Sequence, residues 1–122
     1  MMPERKIFKS MENNYIQKNW KVTNNEIRKY VYLLQNKYKL KEIQLLEPKN
    51  NINEQFLLCW ITIDPSKLGI NKDRLVKVLE KNLTADVKIG INSLIYVRFF
   101  SPGILLKTFD LIYQVKNQKV LA

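Results

Sequence analysis

Histidine is absent from this chain, and Cys59 is its only cysteine. Disulfide frameworks, zinc fingers, Cys/His nucleophile pairs and Ser/His/Asp triads are therefore excluded, and any general acid or base must be a carboxyl, a lysine or a tyrosine. Cys59 lies inside an apolar run and reads as a core thiol, packing as a small hydrophobe. Glycine is scarce too. Gly69, Gly90 and Gly103 are the only three, and none belongs to a Gly-rich loop, so a phosphate cradle of the P-loop or dinucleotide-binding kind is not expected. Asp64, Asp73, Asp86 and Asp110 lack the short spacing of a calcium loop, so no metal and no other cofactor is expected.

Long apolar runs are missing as well. The most apolar region, Ser93 to Tyr113, is interrupted by Arg98, Pro102, Gly103, Lys107 and Asp110, so no membrane partner is expected. The first fifteen residues are polar and carry Glu4, Arg5, Lys6 and Lys9 without an apolar core, unlike a secretory leader. A soluble protein is the expectation.

What remains is one basic domain. With 122 residues, 46% of them hydrophobic, the chain is long enough for one compact core and too short for two ordinary domains. The formal charge of +10 points to an anionic partner such as RNA or an acidic small molecule. Lysine outnumbers arginine severalfold and alanine occurs only at Ala85 and Ala122, so AT-rich codon usage also accounts for part of the lysine excess.

Residues 1–22 lack clean periodicity and read as a loosely structured lead-in, with Tyr15, Ile16 and Trp20 able to dock on a single domain over 23–122. Thr23 and Glu26 have capping-box spacing, and Ile27, Val31, Leu34 and Tyr38 share one face of a helix predicted over Asn24 to Lys37. Lys41–Glu47 and Gln55–Asp64 read as strands of an antiparallel hairpin, closed by a turn at Pro48-Lys49-Asn50-Asn51. Leu75, Val78, Leu79 and Leu83 give a second helix, from about Asn71 to Leu83. Val87–Phe100 has strand character broken at Gly90, Ser101-Pro102-Gly103 reads as a turn, and Ile104–Val115 as a final strand. The expected fold class is α+β, an antiparallel sheet with two main helices.

One longer pattern reaches beyond composition. Leu40-Lys41-Glu42-Ile43-Gln44-Leu45, a turn, Leu57 through Leu68, a helix, Lys88-Ile89-Gly90 and then Leu105-Leu106-Lys107-Thr108-Phe109 together resemble the chorismate lyase family, most of all its plastid and cyanobacterial branch. The resemblance runs from about Leu40 onward. It implies an antiparallel sheet with a buried pocket, an activity that splits chorismate into 4-hydroxybenzoate and pyruvate, and plastid residence. Lys41 stands where the family has a strand arginine that holds a substrate carboxylate, keeping the charge but not the bidentate fork. Ile89 and Gly90 match the family's Pro-Ile-Gly turn, with Lys88 in place of proline. Lys41, Ile89 and Gly90 are accordingly the candidate ligand-binding residues. The family's late catalytic glutamate has no match here, so the expectation is a reduced member, either a weak enzyme that releases pyruvate or a module that binds an anionic aromatic ligand.

Two other classes follow from the residues alone. A basic RNA- or ribosome-associated protein would gather Lys37, Lys39, Lys41, Lys49, Lys72, Lys77, Lys81 and Lys88 into one patch. A small subunit of a protein complex would use Tyr96, Phe99, Phe100 and Phe109 against its partner.

Overall fold

The computed structural model describes residues 22–47 and 57–117. The expected lead-in, with Tyr15, Ile16 and Trp20, and the turn at 48–51 lie outside the described residues. Val22, the one lead-in residue that is described, is buried in the core.

Helix α1 (Asn24–Tyr38) begins as its sequence predicts. The Thr23 hydroxyl accepts from the Glu26 backbone N–H at 3.2 Å, and the Glu26 carboxylate accepts from the Thr23 N–H at 3.3 Å, so two orphan donors of the first turn are satisfied reciprocally. Ile27, Tyr30, Val31 and Leu34 are buried along one stripe. Lys39, in the left-handed region at φ 55°, stops the helix, and the Leu40 N–H returns to the Gln35 carbonyl.

Strand β1 (Ile43–Leu45) pairs antiparallel with β2 (Trp60–Ile63). Proline then ends the strand: Asp64 caps a single helical turn, α2 (Pro65–Leu68), with Pro65 at its first position, where no N–H is needed. Asn71 caps α3 (Lys72–Asn82), whose Leu75 and Leu79 are fully buried. Strands β3 (Val87–Ile89) and β4 (Ile95–Arg98) form a second antiparallel hairpin. Its connection is tight. The Leu94 N–H donates to the Ile91 carbonyl across Asn92 and Ser93, both at positive φ (60° and 61°), the signature of a type I′ turn. Gly90 also donates to the Leu94 carbonyl at 2.8 Å, so Gly90 and Ile91 together oppose Leu94 as a one-residue bulge.

The last element corrects the sequence reading. Ser101 to Val115 is not a turn and a strand; Pro102–Lys116 is a helix, α4. The Ser101 hydroxyl accepts from the Ile104 N–H at 3.1 Å as N-cap, and Pro102 takes the first helical position. Leu105, Thr108, Phe109, Ile112 and Val115 recur at three- and four-residue steps, and all are buried between α1 and α3. The Tyr38 ring of α1 lies 6.2 Å from Phe109 and 5.6 Å from Tyr113. The Leu105–Phe109 segment, which resembles a family strand, is therefore helical here, and the described residues hold three long helices rather than two.

The α+β class with an antiparallel sheet is as expected. The strand order is β1-β2-β4-β3. Ile43, Ile61, Ile63, Ile95 and Val97 point to one face and are fully buried, which places the helical layer there. No helix among the described residues is long and apolar enough to cross a membrane.

Candidate functional site

Because strand side chains alternate, burying the isoleucine face turns a second set outward. Register fixes who stands beside whom. One outward row runs Gln44, Thr62, Tyr96, Lys88, and the next runs Trp60, Arg98, Asp86. Gln44, Lys88, Arg98 and Asp86 are exposed, and Thr62, Trp60 and Tyr96 are partly so. Along β4 and just beyond it, Ile95, Val97 and Phe99 are fully buried while Tyr96, Arg98 and Phe100 face the other way. Arg98 thus lies between Tyr96 on its own strand and Phe100 just beyond its end, and opposite a third aromatic residue, Trp60, on β2.

Two contacts organise this face. The Lys88 ammonium reaches across β4 to within 5.6 Å of the Trp60 ring centroid, a cation–π distance. Gly90 leaves room for the Tyr96 ring, because a Cβ at residue 90 would overlap its Cε1 and Cδ1 atoms.

An open depression of about 650 Å3 adjoins the aromatic end, lined by Leu83, Thr84, Ala85, Asp86, Arg98 and Phe100. The other end of the outward face is acidic. Glu42 and Asp64 flank a depression of about 260 Å3 with Gln44, Thr62, Lys67 and Asn92, and Glu42 Oε2 is buried there without a hydrogen-bond partner. The Ser66 hydroxyl, donating to Asp64 at 2.6 Å, holds the Asp64 carboxyl below its ordinary value of 3.8. Among the described residues no three His, Cys, Asp or Glu side chains are grouped to hold a metal ion.

The residues singled out from the sequence lie elsewhere. Lys41 is exposed in the turn before β1, above a shallow depression with Gln35, Asn36, Lys39 and Glu42. Ile89 is half-exposed at the end of β3, and Gly90 follows it. β1 and β3 are the two edges of the sheet, so three strand spacings, about 14 Å, separate Lys41 from Ile89 and Gly90. Ile89 and Gly90 belong together; Lys41 does not join them. The lysines also divide: Lys37, Lys39 and Lys41 gather near the β1 edge, while Lys72, Lys77 and Lys81 lie on α3 beside β3. Lys49 is outside the described residues.

Trp60, Tyr96 and Arg98 as one surface were missed by sequence reasoning. The alternation Ile95-Tyr96-Val97-Arg98-Phe99-Phe100 was the available signal, but it does not say which strand lies alongside. No family model, curated protein or solved structure matches the chain.

Proposed function

We propose that this protein binds single-stranded RNA on the outward face of its sheet. Sequence-tolerant recognition of single strands needs flat rings on which unpaired bases stack and cations that track the phosphates, and sheets with helices on one face only offer both on a rigid frame. The observation that carries the reading is the position of Arg98, at the end of β4 between Tyr96 and Phe100 in the chain and opposite Trp60 on β2. Lys88 adds a second cation to that surface, and the net charge of +10 favours encounter with a polyanion. The reading rests on this cluster rather than on a continuous lysine patch.

Fluorescence anisotropy with a labelled twelve-nucleotide RNA, read from low to physiological salt, tests it. Saturable binding that weakens with salt is expected, with Trp60→Ala and Tyr96→Ala each costing about 1–3 kcal/mol, the usual worth of one base stacked on an aromatic ring. Absence of binding at low salt, or full affinity in both variants, would sink the proposal. An anionic aromatic ligand such as chorismate, expected from the resemblance, is titrated in parallel. Saturable chorismate binding lost in Lys41→Ala would favour that reading instead.

A further inference from the structure

The depression beside Arg98 holds a carboxylate, Asp86, at the aromatic end of the outward face. Asp86 and Arg98 are direct cross-strand neighbours, joined by the Arg98 N–H to the Asp86 carbonyl at 2.9 Å. Directly opposed residues project to the same side with Cβ atoms about 5 Å apart, a separation at which opposite charges commonly pair. They do not pair here. Among the described residues neither side chain makes an ion pair or a hydrogen bond, and both line the depression. Its volume of about 650 Å3 falls within the roughly 300–1,000 Å3 usual for small-ligand sites. Leu83 and Ala85 supply apolar wall, and the Phe100 ring, 49% exposed, stands at its rim.

Resting on the RNA-binding reading, we infer that this depression takes one unstacked guanine, recognised by the Asp86 carboxylate. An ionised carboxylate accepts hydrogen bonds and donates none. It therefore selects a base edge that offers adjacent donors with no acceptor between them. Guanine alone does so, through N1–H and the N2 amino group. Adenine and cytosine place a ring-nitrogen acceptor beside their amino group, and uracil flanks its single N–H with two carbonyls, so each would bring a lone pair against Asp86. Arg98, on the same side, is placed to donate to the O6 acceptor or to the adjoining phosphate.

The test uses the full chain and four labelled twelve-nucleotide RNAs, a uridine tract and the same tract with one central G, A or inosine. For the wild type, the single G is expected to tighten binding about tenfold over the uridine tract, as a good bidentate contact does, whereas A gives no gain. Inosine, which lacks the N2 amino group, should retain only part of the gain. In Asp86→Asn the G advantage should fall below about twofold while uridine-tract affinity is kept or slightly improved, since a negative charge is removed from a polyanion site. Retained uridine-tract binding also shows that the variant is folded. Binding of all four RNAs with equal affinity, preference for A, or an undiminished G advantage in Asp86→Asn overturns the guanine site and leaves the RNA-binding reading standing. Failure of every RNA to bind overturns both.

Discussion

The Tyr96 ring lies against the Gly90 backbone so closely that a Cβ at residue 90 would come within 2.8 Å of its Cδ1 atom. Gly90→Ala must therefore swing the ring away from the surface it shares with Arg98. Overpacking of this kind costs about 1–3 kcal/mol. Thermal denaturation of Gly90→Ala, Tyr96→Ala and the double variant should show the penalty vanishing when the ring is absent, and additive losses would disprove the contact as its cause.

The β3–β4 turn uses Asn92 and Ser93, both at positive φ, where Asn-Gly is the sequence best suited to a type I′ connection. Serine in the left-handed region carries a steric cost of about 1–2 kcal/mol that glycine avoids, partly offset by the greater freedom of glycine in the unfolded chain. Ser93→Gly is expected to stabilise the protein by about 0.5–1 kcal/mol. A lowered denaturation midpoint in urea would contradict the turn assignment.

Tyr30 in α1 donates its buried hydroxyl to the Pro102 carbonyl at 3.2 Å, tying the first helix to the start of the last. Tyr30→Phe keeps the ring in the core and removes the hydroxyl that makes this bond, so a loss of about 0.5–1.5 kcal/mol is expected by chemical denaturation. Phe109→Ala, which empties the core between α1 and α4, should cost about 3–5 kcal/mol by the same measurement.

Asp64 titrates below 3.8, first because the Ser66 hydroxyl donates to its carboxylate; desolvation opposes this, and the Lys67 and Ser66 backbone N–H groups and the Lys67 charge give further, smaller help. A depressed folded-state value means that the contribution is complete above 3.8 and is lost as pH falls through the folded pKa. Near neutral pH the contribution is therefore present in full and does not change with pH. Ser66→Ala should raise the Asp64 pKa toward 3.8 in an NMR titration; an unchanged value would assign the depression to the backbone N–H groups instead.

The parts of the fold legible in the sequence were those with strong polar contrast. The Thr23–Glu26 box and the stripe from Ile27 to Leu34 specify α1 locally, and Leu75 with Leu79 does the same for α3. In α4 the contrast fails. Ile104, Phe109, Ile112, Tyr113 and Val115 favour strands on intrinsic propensity, and the helix is so widely buried that few polar residues mark its free side. Ser101-Pro102 serves equally as turn or as cap, and only the spacing from Leu105 to Val115 decides between them. The grouping of Lys41 with Ile89 and Gly90 came from the family resemblance, a matching of segments along the chain that carries no information about sheet edges. Conversely, Trp60 meets Arg98 only because β4, the last of these strands in the chain, lies between β2 and β3.

That insertion also bears on how the chain acquires its shape. β1 with β2, and β3 with β4, are each local pairs, but the β2–β4 junction joins Trp60 to Arg98 and Ile63 to Ile95, across the intervening helices. The centre of the sheet is thus its most non-local seam, and closing it carries the largest loop entropy. Two ready-made ribbons must meet before Ile61 and Val97 are sealed. The surface bearing Trp60 and Arg98 comes into being at that same moment, so a chain caught before the ribbons join would possess every residue of the platform and no platform.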